Sequence, residues 1–421
     1  MPDTTKRQPK KSPSVRRLSG MLRRALWSAL SAILIIAATY IIDSSPYPTG
    51  DEVTIEQWVE RLNKLSGIGE NNIPDSVCLI NITYDKAMAD CTARLFDNDA
   101  SSAQPVGQIP VTDRRKLLDF LTIADSLNNY RYIMLDVRFD DDIADDTVTE
   151  ALFRQISSMD NIVFARHQGS RTADGAPMDK AAFGDYHTTF LVFDVVKYPV
   201  LKADGDSDRY LPSIPAKMYH DLQGVSFTTR GPLTFSDGHL CRRSIYPTLP
   251  VRMTSWAVTD PETGLARLQY KNLGTDLLSV PNRVETIGRS IDNKIVVVGD
   301  FVDDTHDTYI GQQAGTLVNL NSYIALCHGS HLVSLTGTLV QFLLFFALSW
   351  SILSGRQLLS YIPFLRKSRN GIVHFVASYI GFTVVLAVAA AITYMLFGFI
   401  FSIVFPSLYL SIFETCAKFR K

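Results

Sequence analysis

The side chains with the most chemical capacity follow an apolar run at residues 294–298. They are Asp303, Asp304, His306 and Asp307. An imidazole set among carboxylates can exchange protons near neutrality. A loop leaving the C-terminal end of a parallel strand is where α/β proteins hold ligands. These four are the candidate ligand-binding residues. No catalytic residue is expected, because the chain has no G-x-S-x-G, no H-E-x-x-H and no P-loop. Cys327, His328 and His331 could together hold a borderline-soft cation, but packing beside an apolar span explains them more simply. Asp140, Asp141, Asp142, Asp145 and Asp146 could gather calcium, or could lead a helix as solvated carboxylates that complement its dipole. Asp204, Asp206 and Asp208 begin like a calcium loop. Arg209 then stands where that loop needs glycine, and Pro215 where it needs an acid. No metal and no other cofactor is expected.

Cys78, Cys91, Cys241 and Cys327 allow three disulfide pairings, with Cys416 apart near the C-terminus. No C-x-x-C spacing occurs, which excludes a zinc ribbon or a thioredoxin motif. Reduced, buried thiols are the default, although an oxidising compartment would permit bridges.

The elements that must position these groups are partitioned along the chain. Its 421 residues carry 41 Lys plus Arg and 42 Asp plus Glu, a net charge of −1. Eight of the basic residues precede residue 43 with one acid, Asp3. Seven follow residue 331 with one acid, Glu414. The middle therefore keeps 26 basic against 40 acidic residues. Nucleic acid is not expected as a partner of so acidic a region.

Residues 25–42 are uncharged and would span about 27 Å as a helix, roughly one hydrocarbon core. Arg23 and Arg24 precede them and Asp43 follows, which favours an uncleaved anchor with its N-terminus inside. Residues 332–353 form a second apolar tract, followed by Arg356, Arg366, Lys367 and Arg369. Residues 372–413 hold no charge and would reach about 62 Å as one helix, so a helical hairpin is expected, with its turn near 394–398. The resulting organisation is a basic cytoplasmic tail (1–24), a first span (25–42), an extracytoplasmic domain (43–331) and a second span (332–353). A basic cytoplasmic loop (354–371), a hairpin of third and fourth spans (372–413) and a cytoplasmic tail (414–421) complete it. Three spans, with the last tract crossing once, is the alternative.

Within 43–331 the pattern alternates. Residues 77–83 (VCLINIT) read as a strand. Thr112 could cap a helix carrying Leu117, Leu118, Phe120, Leu121 and Ala124. Residues 132–137 read as a second strand, 146–156 as a second helix and 161–165 as a third strand. Further on, strands are expected at 189–193, 268–271, 276–280 and 294–298, and helices at 215–222, 249–258 and 316–326. The order implies an α/β domain with a mainly parallel sheet flanked by helices, joined to an all-α four-span membrane part.

Several blocks in this order resemble the second class of CHASE-type extracellular sensory domains, a family associated with cyclases and kinases. The strand at 77–83 with Tyr84 and Asp85 resembles the family's first strand. Ile109-Pro110, Arg114, a helix and Ile133-Met134-Leu135-Asp136-Val137 are similar to its second block. Asp237-Gly238-His239-Leu240-Cys241-Arg242-Arg243 resembles its "DG-x-x-R" turn with one residue added. Gly299, Asp307, Thr308, Gly315 and Asn321 match its last block. The family-matching positions are thus Arg114, Asp136, Asp237, Gly238, Arg242, Gly299, Asp307, Gly315 and Asn321. Gly107-Gln108-Ile109 replaces the family's aromatic segment, and Ala314 a proline. The resemblance implies one span before the domain and three after it. It also implies a signalling output, which is expected on a separate chain because this one ends eight residues after Phe413.

The function expected is that of a multi-pass inner-membrane protein whose extracytoplasmic domain, periplasmic in a double-membraned host, detects an envelope or external cue. It would relay that cue through its membrane helices to a partner. The alternative is a scaffold or assembly factor whose outer domain docks envelope proteins. The partners expected are the lipid bilayer, a signalling or envelope protein, a small-molecule ligand and a second copy of the chain.

Overall fold

The computed structural model describes residues 13–48, 51, 54–55, 57–58, 76–94, 103–139, 147–167, 172–186, 195, 197–203, 210–245, 257–259, 266–308, 311–355, 371–397 and 401–419. Two compact units emerge. One joins Met1–Asp43 to Val333–Lys421 and the other is Ser44–Leu332. The first helix, α1 (Pro13–Ser44), lies almost wholly in the former unit.

The second unit is built on a parallel sheet. Its strands are β1 (Val77–Asn81), β2 (Tyr132–Leu135), β3 (Ile162–Arg166), β4 (Ala181–Phe183), β5 (Lys271–Asn272) and β6 (Ile295–Gly299). Their spatial order is β5-β1-β6-β2-β3-β4, and every pair is parallel. β1, β2 and β6 are buried at every position, so they read as continuous apolar runs, the mark of strands covered on both faces.

Alternate residues feed two cores. Cys78, Ile80, Ile133, Leu135, Val296 and Val298 face helices α2 (Arg114–Leu127), α3 (Thr147–Ser158) and α5 (Arg283–Ile291). Val77, Leu79, Tyr132, Met134, Ile295 and Val297 face α4 (Ile214–Gln223) and α6 (Gly315–Cys327). A two-residue period therefore yields a helix–sheet–helix sandwich. The crossovers through α2, α3 and α5 all advance in one direction on one face, and the return from β4 to β5 passes α4 on the other. Right-handed parallel crossovers require that division.

Several expectations are corrected. Asp113, not Thr112, caps α2, accepting from the amides of Arg115 and Lys116. Thr112 instead ends the second strand of an antiparallel ribbon, Lys86–Arg94 with Ala103–Thr112. Residues 273–278 form a π-helix rather than a strand. Leu273 and Leu277, four apart, both enter the core, and the Asp276 carboxylate accepts from the Asn272 amide at 2.8 Å. Of the helix expected at 249–258, Ala257–Thr259 is a strand paired with Ala266–Leu268 and 249–256 lie outside the described residues. The strand expected at 189–193 and the acidic runs at 140–146 and 204–208 also lie outside them. Cys78, Cys241 and Cys327 form no disulfide among the described residues.

The other unit holds three helices long and apolar enough to cross a membrane, at Gly20–Ser44, Leu335–Leu353 and Gly371–Thr393. They belong to α1, α7 (Leu335–Leu353) and α8 (Gly371–Phe397). α9 (Val404–Phe419) carries the shorter apolar stretch Val404–Ala417. The long tract is divided between two helices, α8 ending at Phe397 and α9 beginning at Val404. Ser378 of α8 hydrogen-bonds Glu414 of α9, pairing the start of one helix with the end of the other.

The burial pattern is inverted relative to a water-soluble bundle. In α1, Ser28, Ser31, Ala32, Ile35 and Thr39 face inward, while Leu26, Leu30, Ile33 and Leu34 face outward. In α7, Gly337, Gln341, Phe345 and Ser349 face inward, while Leu335, Leu339 and Leu343 face outward. The Ser31 and Ser349 hydroxyls lie 3.0 Å apart. Small and polar residues between helices, with large apolar ones outside, are what packing in lipid selects.

His331 lies at the end of the second unit. It is fully buried, with its Nε2 3.2 Å from the Ser236 hydroxyl and its ring edge-on to Tyr219 and Phe227. Its carbonyl accepts from the Arg242 amide at 2.8 Å. Burial pushes its pKa down to about 4. Folded His331 thus stays neutral while unfolded His331 charges below about 6.5, so stability is lost as pH falls from 6.5 towards 4, by about 3 kcal/mol in all. His331→Gln should melt less steeply with acidification over that window than the unaltered chain.

Gly299 sets a second constraint. A Cβ there would collide with the Thr316 side chain, so Gly299→Ala should destabilise the second unit by about 1–3 kcal/mol, read as a lowered denaturation midpoint.

Candidate functional site

β6 lies between β1 and β2, but their chains leave in opposite directions. β6 leads to α6 on one face, whereas β1 and β2 lead to α2 and α3 on the other. Loops that part this way leave a crevice beyond the strand ends. The residues just past those ends are Asp136 after β2, His167 after β3, Asp185 and Tyr186 after β4, and Asp300 after β6.

Asp136 is the half-buried centre. Its Oδ2 accepts from the Asn319 amide of α6 at 3.2 Å. Burial pushes its pKa up and Asp304 adds to the rise, while Thr316, His167 and Asn319 oppose it. Asn319 also accepts from the buried Tyr198 hydroxyl.

Asp304 and His306 stand over α6. They belong to the segment leading into and through the ribbon Thr305–Thr308/Gly311–Ala314. His306 Nε2 lies 3.0 Å from Asp304 Oδ1, and its Nδ1 2.6 Å from the Tyr186 hydroxyl. The bond to Asp304 raises the His306 pKa against the effect of burial. When His306 is charged, both ring nitrogens donate, so Tyr186 accepts and its own proton can point into the crevice. When His306 is neutral, Nδ1 can accept that proton instead. Protonation of one imidazole thus changes the hydrogen-bonding face shown to a ligand. Gly315 makes the approach tight, since a Cβ there would lie 2.9 Å from both Asp304 Oδ2 and His306 Nε2.

A second polar group borders this one. His167 Nδ1 lies 2.5 Å from Asp185 Oδ1, and Lys202 Nζ donates to Asp185 Oδ2 at 2.9 Å. Asp300 is fully engaged. Burial pushes its pKa up, but hydrogen bonds from Thr83, the Asp303 amide, Lys86 and the Val302 amide outweigh it, and the net shift is downward.

The four candidate ligand residues are therefore separated. Asp304 pairs with His306, Asp303, Asp304 and Asp307 are all exposed, and the Asp307 carbonyl accepts from the Val195 amide. Among the family-matching positions, Asp136, Gly299 and Gly315 frame the crevice. Arg114 is buried between α2 and α3, bonded to Thr149, with its guanidinium 6.0 Å from the Phe139 ring centre. Asp237 and Gly238 form a turn with φ of 44° and 81°, and the Asp237 carboxylate accepts from the Ser226 amide. Asn321 is buried within α6. Sequence reasoning missed Tyr186, Thr316, Asn319, His167 and Asp185. Position just past a strand end was the available signal for His167; β4 spans only three residues and gave none for Asp185 and Tyr186. Cys327 and His328 are exposed while His331 is buried, and no metal-ligating cluster occurs among the described residues.

The second unit is a parallel α/β domain with a cluster of polar side chains beyond its strand ends, on a chain with apolar helices. No protein-family model, curated protein or solved structure matches the chain.

Asp136→Asn tests the centre. A raised folded pKa means ionisation of Asp136 opposes folding as pH rises past its ordinary range, and has no effect where both states are protonated. Asp136→Asn should therefore raise the denaturation midpoint at pH 7 and leave it nearly unchanged at pH 3.

Proposed function

We propose that this chain is a membrane receptor of the CHASE-like kind, with a small-molecule ligand held in the crevice at Asp136, Asp304, His306 and Tyr186. The outer domain lies outside the cytoplasm, four helices cross the inner membrane, and both termini face the cytoplasm. The basic clusters beside the apolar tracts support that orientation. The observation that carries the reading is the double role of α6. Its first turns supply Thr316 and Asn319 to the crevice, and its last residue, Cys327, stands only eight residues before Leu335, where α7 begins. A ligand that binds two arrangements of α6 with different affinity would bias whatever α7 is coupled to.

A second reading, a docking scaffold, is favoured by the ribbon Lys86–Arg94/Ala103–Thr112. Met88 on it is 60% exposed and Tyr84 just before it 68%, a surface suited to strand-addition contacts.

The test is purification of the full chain from its native membranes and identification of what stays bound. A kinase, cyclase or transcription regulator is the expected companion. A flexible Gly-Ser insertion after Val333 should leave that companion bound and the domain's melting unchanged, while removing its regulation. Recovery of envelope-assembly proteins alone would replace the receptor reading with the scaffold one.

A further inference from the structure

A cleft of about 510 Å³ lies beside β1, reaching from the first residues of β1 and the approach to β6 up to the start of β5, which pairs further along β1 at Ile80. Cys78, Tyr270, Lys271, Arg289, Ser290 and Lys294 are among the residues that line it. Its volume falls in the range of small-ligand sites.

Three cations converge there in a domain that is otherwise strongly acidic. Lys271 Nζ is fixed by donating to the buried Ser290 hydroxyl at 2.9 Å. Arg289 pairs with Glu285 one helical turn away, an exposed pair of the kind that contributes little. Neither Lys271 nor Lys294 has a carboxylate partner among the described residues. Both face Cys78. Burial pushes its thiol pKa up, and Lys294 and Lys271 draw it back. Lys271, Lys294 and Arg289 thus place three positive charges along the lining of one cleft. One wall is aromatic, with Tyr270 stacked on Phe301 at 5.9 Å and 11°.

We propose that this cleft binds a small organic polyanion, a di- or tricarboxylate or a phosphate ester, through Lys271, Lys294 and Arg289. The oxyanion would bridge the two ammonium groups. Arg289, freed from Glu285, would take a second carboxylate or phosphate in the paired geometry that guanidinium favours. The site needs nothing from the crevice beside Asp136, and either can fail without the other. The same chemistry could be presented by a free metabolite or by an anionic lipid headgroup.

The experiment is calorimetric titration of the full chain in nanodiscs of zwitterionic lipid with citrate and, separately, inorganic phosphate. Saturable binding that weakens with salt is expected. Lys271→Met with Lys294→Met, which keeps the apolar stems, should weaken it by roughly tenfold or more. Arg115→Met, which removes an exposed cation outside the cleft, should bind as the unaltered chain does, and matched melting midpoints verify folding. Phosphatidylglycerol in the discs distinguishes the sources. Unchanged citrate or phosphate binding assigns a soluble ligand, and competition by the lipid assigns a headgroup. Absence of saturable binding by both anions in zwitterionic discs, or equal binding by the double variant, overturns the proposal.

Discussion

The polar end of the α/β domain depends on β6 lying between β1 and β2. That placement is a packing constraint before it is a functional one. Ile295, Val296, Val297 and Val298 are buried on both faces of the sheet, so β6 is stable only where strands flank it and helices cover it. Once it is there, its outgoing chain must turn towards α6 while its neighbours turn the other way. Gly299 lets the first turn of α6 close against the strand end, and the Asp136 amide donates to the Val298 carbonyl at 2.8 Å. The crevice is therefore a consequence of strand order. The residues within it are held by elements whose own stability comes from apolar burial.

The same geometry separates carboxylates that hold the domain together from those left available. Asp85 is buried, accepts from the Gly274 amide at 3.0 Å and pairs with Lys116 at 2.6 Å. A buried carboxylate satisfied by a backbone donor and a cation is a structural joint, and removing either partner would leave a costly desolvated charge. Asp300 is satisfied in the same manner by Thr83, Lys86 and two amides. Asp136 differs. The Asn319 amide and the Thr316 hydroxyl beside it are neutral, the like charge of Asp304 is destabilising, and Asp136 remains partly open to solvent. An incoming donor or cation would gain most at that carboxylate.

Much of this was legible in the sequence because the strands are buried on both faces. Apolar runs such as 77–83, 132–137 and 294–298 carry their own boundaries, and the amphipathic α2 and α3 between them announce crossovers. Legibility ended where local signals were short or misleading. β4 has three residues and β5 two, so neither rises above the composition of a loop, and with β4 went Asp185 and Tyr186. Leu277 and Leu278 within 276–280 suggested a strand, but Leu273 and Leu277 reach the core four residues apart, a helical spacing. The acidic loop after β6 was found from its composition. Only its folding decides that Asp304 pairs with His306 and that His306 meets Tyr186. The family-matching motifs divided similarly, some framing the crevice and others, such as Arg114 and Asp237, making joints and turns.

The apolar helices obey a different solvent, and their polar residues show it. Within water a bundle buries leucines and exposes serines. Here Ser28, Ser31, Ser349, Ser378, Ser407 and Ser411 are buried, and leucine, isoleucine and valine side chains line the outside. Lipid offers apolar side chains no gain from burial against one another, so close backbone approach and hydrogen bonds between helices decide the packing instead. Glu414 is the extreme case. It is 2% exposed on an apolar helix and is bonded to Ser378 of the facing one. A carboxyl group so placed is expensive among hydrocarbon neighbours, and its cost falls only while α8 and α9 remain paired. The hairpin is thus held by a polar contact that would be weak in water and is selective in an apolar medium. That explains how a helix of 16 residues, about 24 Å long, can stay against a longer partner.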